Sequence, residues 1–313
     1  MGMRSPQTRA DQPSPRAVSA TYPRLMKHIL LAIDRSAPSW EASRLAIHMA
    51  PKLDVAVTVL SIVVPGTRLR EAKDQRGREY EAVRELVDDI VKEFVAVGVE
   101  AKGEVRSCSR EEEVAGEILG ANSRLGADLI VMGSRARGEL TGLLLGSVSH
   151  AVAKGAGCPV VIVPAGAMVN VTTRRIVLVI DGEGDPERPV AATVTLARAL
   201  KAAVEVVCVG HTLGDDVETG QSQSSANPDE EAVARVAATL MKAGLEVRWR
   251  MIDNQRGLAP EIAREVMATG ADMVVIGARA MGWVGGDIAA GAAEAVIHRT
   301  HRPVVVAPSR RRS

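Results

Sequence analysis

One chain of 313 residues contains the same segment twice, and that duplication limits the possible folds more than any other feature. Gly126-Ala-Asp-Leu-Ile-Val-Met-Gly-Ser-Arg-Ala-Arg-Gly138 reappears 144 residues later as Gly270-Ala-Asp-Met-Val-Val-Ile-Gly-Ala-Arg-Ala-Met-Gly282. Pro159-Val-Val-Ile-Val-Pro164 returns at the same offset as Pro303-Val-Val-Val-Ala-Pro308, and Ile29-Leu-Leu-Ala-Ile-Asp34 returns 147 residues on as Ile176-Val-Leu-Val-Ile-Asp181. A period of this length is a whole domain and not a solenoid unit. The reading is a polar, disordered leader over residues 1–24, a first domain over 25–167 and a second over 174–309.

Within each copy, short β-branched apolar runs alternate with longer helical patterns, the signature of parallel strands joined by crossover helices. The first copy predicts strands at 29–33, 55–63, 99–105, 129–132 and 160–163, with helices at 39–50, 70–97, 110–125 and 147–154. Ser109 with Glu112 reads as a capping box opening the third helix. The second copy predicts strands at 176–180, 204–209, 247–251, 273–276 and 304–306. Its polar segment 211–230 reads as a mobile surface loop, either an inert insertion or a regulatory element. The fold class is therefore α/β: two tandem Rossmann-like domains, each a five-stranded parallel sheet with helices on both faces. The low aromatic content, 2% with a single Phe, agrees with cores filled by Val, Ile, Leu and Ala.

A net charge of +1 and few rings argue against nucleic acid. No apolar run approaches the roughly 20 residues of a membrane span, and the leader has no signal-peptide core, so a cytoplasmic protein without a membrane contact is expected. Cys108, Cys158 and Cys208 are too few and too far apart for a disulfide framework or a CxxC site. His298 and His301 stand three apart with no third ligand in view, so no metal site is expected.

In open parallel sheets, ligands bind beyond the carboxyl ends of the strands where strand order reverses. There the first copy has Gly133-Ser-Arg-Ala-Arg-Gly138, followed after seven residues by Gly146-Ser147 at a helix start. Backbone N–H groups beside glycine and at a helix N-terminus can cradle phosphate, and Ser134, Ser147 and Ser149 can add hydroxyl donors. Three or four bonds to a charged group, at about 1.5–3 kcal/mol each, supply most of the roughly 8 kcal/mol that micromolar binding needs. Two readings stand for the glycines, a phosphate cradle or a plain strand-to-helix turn. Two also stand for Asp34 at the end of the first strand, a ligand contact or a cap for the helix near Pro38. A P-loop is excluded, because Glu139-Leu140 follow Gly133-x4-Gly138 where Lys and Ser or Thr are required. Gly182-Glu-Gly184 reads as a turn, since Glu187 stands where a dinucleotide fingerprint needs its third glycine. No Gly-x-Ser-x-Gly nucleophile elbow occurs.

Ile33-Asp34-Arg35-Ser36, Ala127-Asp-Leu-Ile-Val-Met-Gly-Ser134, Leu143-Leu-Leu-Gly-Ser-Val-Ser149 and Cys158-Pro-Val-Val-Ile-Val-Pro164 together resemble the universal stress protein family, and both copies share the likeness. The resemblance implies an adenine nucleotide site, for ATP with or without Mg²⁺ in the family's ATP-binding branch, in which Gly133, Ser134, Arg135, Ala136, Gly146, Ser147, Val148 and Ser149 surround the phosphates and ribose. It carries Asp34 to the adenosine part and the backbone of Ile62 to the base. The family signature is Gly, two residues, Gly, nine residues, then Gly and Ser or Thr; Ala136 occupies its second Gly. In the second copy Gly277 is kept and Asp181 matches Asp34, but Ala280, Ala290 and Gly291 replace Gly, Gly and Ser, and Trp283 enters the loop. The first copy is thus the expected site. The resemblance also implies pairing of the closing strands, as an intramolecular pseudo-dimer or a homodimer, an unidentified protein partner, and binding ahead of catalysis, with slow ATP hydrolysis or a nucleotide-free scaffold as the alternatives.

Overall fold

The computed structural model describes residues 26–64, 72–135, 146–170, 172–181, 186–210, 228–253, 258–277, 296 and 299–308. In the first copy these form β1 (His28–Ile33), α1 (Ala37–Leu53), β2 (Ala56–Val63), α2 (Ala72–Ala96), β3 (Ala101–Ser107), a 3-10 turn (Glu111–Glu113), α3 (Val114–Leu125), β4 (Leu129–Ser134), α4 (Ser147–Gly155) and β5 (Val160–Pro164). The second copy has β6 (Arg175–Asp181), α5 (Glu187–Leu200), β7 (Ala203–Gly210), α6 (Pro228–Lys242), β8 (Val247–Asp253), α7 (Leu258–Thr269), β9 (Met273–Gly277) and β10 (Val304–Ala307).

The strands make one continuous sheet in the order β3-β2-β1-β4-β5-β10-β9-β6-β7-β8. Every neighbouring pair is parallel except β5 with β10, which run antiparallel with Val161 opposite Val305. The two expected sheets are thus fused at their closing strands. Their flanking prolines, Pro159 with Pro164 and Pro303 with Pro308, mark the ends of this seam. In each half the chain leaves the first strand toward one side and returns to pair on the other, so strand order reverses between β1 and β4 and between β6 and β9.

Strand alternation sends Ile29, Leu31 and Ile33 to one face and Leu30 and Ala32 to the other. Each face carries a buried cluster that runs through both copies: the first joins Val161 and Val163 to Val275 and Val305, the second joins Val160 and Ile162 to Val304 and Val306. Helices α1 and α5 meet across the seam on the first face. Phe94 of α2 is completely buried there, the chain's single Phe filling the space above β2 and β3.

Two local expectations change. Ser109 does donate its backbone N–H to a carboxylate, but to Glu113 Oε2 (2.9 Å) and not to Glu112, because the helix is preceded by a 3-10 turn that advances the reaching residue by one. The polar stretch expected to be loop as far as residue 230 becomes helical at Pro228, where Asp229, Glu230 and Glu231 occupy the first turn of α6 and complement its dipole. The leader, the rest of that stretch (211–227), the turn at 182–185, Ala136, the Trp283 loop and His298 lie outside the described residues.

Candidate functional site

The carboxyl ends of β1 and β4 part on the second face of the sheet, and a cavity of about 480 Å³ fills the gap. Asp34, Gly133 and Arg135 line it from the two diverging strand ends, Ile62 from β2, and Gly146, Ser147, Val148 and Ser149 from the start of α4. Eight of the twelve residues singled out in the sequence therefore share one cavity. Ser134 stands behind its wall, Ala136 is outside the described residues, and Asp181 and Gly277 belong to the second copy.

Asp34 is built into the entry of α1. Its Oδ1 accepts the Ser36 N–H (2.9 Å), the Ser36 hydroxyl and the Ser39 hydroxyl (2.7 Å), while its own N–H donates to Ser39 Oγ (3.0 Å). This is an Asx-type turn that brings the chain into a helix with Pro at its first turn. The N-cap itself is Ser36, so the capping interpretation of Asp34 holds only in this indirect form. The second oxygen, Oδ2, faces Arg135 Nε at 3.4 Å. Burial pushes the Asp34 carboxyl up, but the Ser36 and Ser39 hydrogen bonds and the Arg135 charge outweigh it and leave its pKa below the usual value.

Across the cavity, Gly146 is the N-cap of α4 and offers no side chain to the first turn. Its position is set from behind: its N–H donates to Ser134 Oγ (3.3 Å), its carbonyl accepts from Ser149 Oγ (2.9 Å), and the two hydroxyls bond each other (2.9 Å). Ser134 and Ser149 are 3% and 2% exposed, so these hydroxyls hold the helix start and are not spare donors, unlike the exposed Ser147. A Cβ on Gly146 would lie 2.9 Å from the Arg135 carbonyl oxygen. Gly133 is bare for another reason. A Cβ there would lie 2.5 Å from both the Pro38 carbonyl carbon and the Ser39 nitrogen, the backbone of α1's first turn. Its glycine is required by strand-to-helix packing, the plainer of the two readings.

The cavity also contains Ser39, Glu111 and the apolar pair Val114 and Ile118, which sequence reasoning did not select. Ser39 had a signal, since it lies five residues after Asp34 at a helix start. Glu111 had only its place after β3.

In the second copy Asp181 ends β6 and Gly277 ends the adjacent β9, the same relative places as Asp34 and Gly133. Among the described residues, a Cβ on Gly277 would meet only Pro189 Cγ, at 3.3 Å. Residues 278–295, including Ala280, Ala290 and Gly291, lie outside the described set. Among the described residues no group of three or more His, Cys, Asp or Glu side chains could hold a metal, and no helix is long and apolar enough to cross a membrane. Cys108, Cys158 and Cys208 form no disulfide, and burial pushes Cys158 up to about 11.

Fold and cavity together define a tandem, doubly wound α/β protein with a ligand-sized cleft at the first copy's switch point. Residues 26–164 and 172–308 each match the universal stress protein family, and the chain belongs to that family. A universal stress protein of Mycobacterium tuberculosis is 29% identical over 185 residues, 58% of this chain and 62% of that relative, so the match spans less than two thirds of the relative's length. One from Mycolicibacterium smegmatis is 25% identical over 288 residues, covering 89% of this chain and 96% of the relative. The crystal structure of a universal stress protein from Archaeoglobus fulgidus superposes with a TM-score of 0.68 at 20% identity, over 90% of this chain and 96% of that one.

Proposed function

We propose that this chain is an ATP-binding regulatory protein of the stress response, in which nucleotide held by the first copy alters a surface read by a protein partner. The observation that carries it is the opposition, across one cavity, of an α4 N-terminus without a side-chain cap to the Asp34–Arg135 pair. The first-turn N–H groups of α4 and Ser147 Oγ take the phosphates, with Mg²⁺ as counter-charge. Ser134 and Ser149 hold that turn in place. Arg135 swings from Asp34 to phosphate, which frees Asp34 Oδ2 for ribose hydroxyls, and the base lies along Ile62 against Val114 and Ile118.

Asp181 and Gly277 support at most a weaker second site. The molecule is its own pseudo-dimer through β5 and β10, further pairing to a homodimer uses other surfaces, and the protein works in the cytoplasm away from nucleic acid and membrane. Ala136, in place of the family's second glycine, favours a second reading as a nucleotide-free interaction scaffold; slow ATP hydrolysis is a lesser activity of the same site.

Calorimetric titration with ATP and Mg²⁺ tests the proposal. One nucleotide per chain should bind in the micromolar range, about −8 kcal/mol. Asp34→Ala and Gly146→Val should each weaken binding at least tenfold while circular dichroism confirms their fold. No heat from the wild type at millimolar ATP overturns nucleotide binding and leaves the scaffold.

A further inference from the structure

The duplication lets the two copies be compared where the central strand of each begins. Matching sheet registers make Arg175 of β6 the counterpart of His28 of β1, and Glu205 of β7 the counterpart of Thr58 of β2. In the first copy the His28 ring stands between two partners. Its Nε2 meets the Thr58 hydroxyl at 2.9 Å, and the ring also donates to the carbonyl of Leu125, the last residue of α3. At the matched position, Arg175 donates to the carbonyl of Thr269, the last residue of α7. Each central strand thus clips the end of the helix packed on its second face. One copy does so with an imidazole, the other with a guanidinium that is never deprotonated in a protein.

We propose that His28 makes the attachment of α3 releasable by mild acid, whereas Arg175 keeps α7 attached at any pH. A neutral ring that donates to Leu125 through one nitrogen accepts the Thr58 hydroxyl at the other, and both contacts are satisfied. Protonation turns both nitrogens into donors. The Thr58 hydroxyl, completely buried, must then reverse to accept, and its own hydrogen loses the ring as acceptor. Of the charged groups around the ring, Lys102 of β3 repels the imidazolium, while Glu100 ahead of β3 and Asp128 ahead of β4 attract it; β2 and α3 present the neutral Thr58 and the Leu125 carbonyl. Burial and Lys102 prevail over Leu125 and the two carboxylates, so the pKa lies below the ordinary 6.5. Around that pH the folded chain holds fewer protons than the unfolded one, so stability present above pH 6.5 is lost as pH falls from there through the depressed folded value. Because α3 supplies Val114 and Ile118 to the cavity wall, its release bears on the first copy's cleft and leaves the second copy's framework in place.

Cys158 reports on the clipped helix, since its thiol donates to Asn122 Oδ1 (3.6 Å) in the last turn of α3. Its reaction with a dipyridyl disulfide in the full chain is read by peptide mass and expressed as protection relative to the urea-denatured chain at the same pH, which removes the effect of thiol ionisation. In the wild type, protection should fall about threefold or more between about pH 7.5 and about pH 5.5. In His28→Gln, whose amide keeps a donor and an acceptor but takes no proton, it should fall less than about 1.5-fold. Urea midpoints over the same interval should likewise decline more in the wild type than in His28→Gln or His28→Arg. His48, also kept neutral by burial beside Lys52, contributes alike to all three proteins. Wild-type protection that is unchanged by pH overturns the proposal whether or not the variants fold. So does a parallel decline in the wild type and His28→Gln, which would assign the acid response to other groups.

Discussion

Gly133 and Gly277 occupy matched places in the two copies, yet their surroundings assign them different tolerances. An added methyl at Gly133 is driven into the backbone of Pro38 and Ser39, which cannot rotate aside, while at Gly277 it meets the edge of one proline ring. Gly133→Ala should therefore destabilise the protein by about 3 kcal/mol, at the upper end of overpacking costs, and Gly277→Ala by about 1 kcal/mol or less, as read from urea midpoints. Equal losses would show that α1 can shift away from β4. The sequence makes the presence of both glycines plain, but not which atoms forbid a side chain, because those atoms lie about 95 residues away on another element. Asp34 makes a pH prediction at the same scale. Its folded-state pKa is depressed, so the ionised form adds stability above the ordinary carboxylate value, and that contribution is lost as pH falls through the depressed one. Asp34→Asn should flatten this part of the acid limb of a pH-stability curve below about pH 4 while the wild type still declines there. A limb of unchanged slope would mean that the Asp34 carboxyl titrates at the same pH in the folded and unfolded chains.

The repeated Gly-Ala-Asp phrase becomes intelligible at the level of elements. Gly126 ends α3 and Gly270 follows α7, both in the left-handed conformation (φ 61° and 64°) that glycine adopts without strain. Ala127 and Ala271 are buried beneath the turn. Asp128 Oδ2 then accepts the N–H groups of Lys27 (2.6 Å) and His28 (3.2 Å), and Asp272 Oδ2 those of Arg174 (2.8 Å) and Arg175 (3.1 Å). In each copy the aspartate fixes the start of the central strand to the start of its neighbour, so the register of β1 with β4, and of β6 with β9, is set at one end. Asp128→Ala should cost about 1–2 kcal/mol and accelerate amide exchange at Lys27 and His28 ahead of the rest of β1. Uniform exchange along the strand would assign the aspartate no local role. Eight strands are legible from apolar runs within a residue or two of their ends, because burial on both faces leaves little else for such runs to do, whereas the edge strands β3 and β8 are mixed in polarity and have no buried residue among those described. The 3-10 turn at Glu111–Glu113 is not legible, since three consecutive glutamates carry no period, and with it the sequence loses sight of Glu111 in the cavity.

For the whole molecule, what matters is whether two copies behave as two domains. Sequence division at about residue 170 suggests independent units, and a period of 144 residues is ample for each to hold a core. The seam argues otherwise. β5 and β10 would each be an unprotected edge of purely apolar residues if the halves parted, and both buried clusters pass through them from one copy to the other. Separation would also uncover the contact of α1 with α5. Unfolding one half thus exposes apolar surface of the other, at about 25 cal/mol for each Å², which couples the two transitions. Trp40 on α1 and Trp249 on β8 report on opposite halves and are 45% and 48% exposed, so changing either to Phe has a small effect on packing, and with Trp283 also changed to Phe each can be kept as the sole tryptophan. In urea, the Trp40-only and Trp249-only proteins should give fluorescence midpoints that coincide with each other and with the loss of helical circular dichroism. Midpoints separated by about 0.5 M or more, with a slope in each step near half that expected for the whole chain, would instead make the seam a contact between independently folding domains.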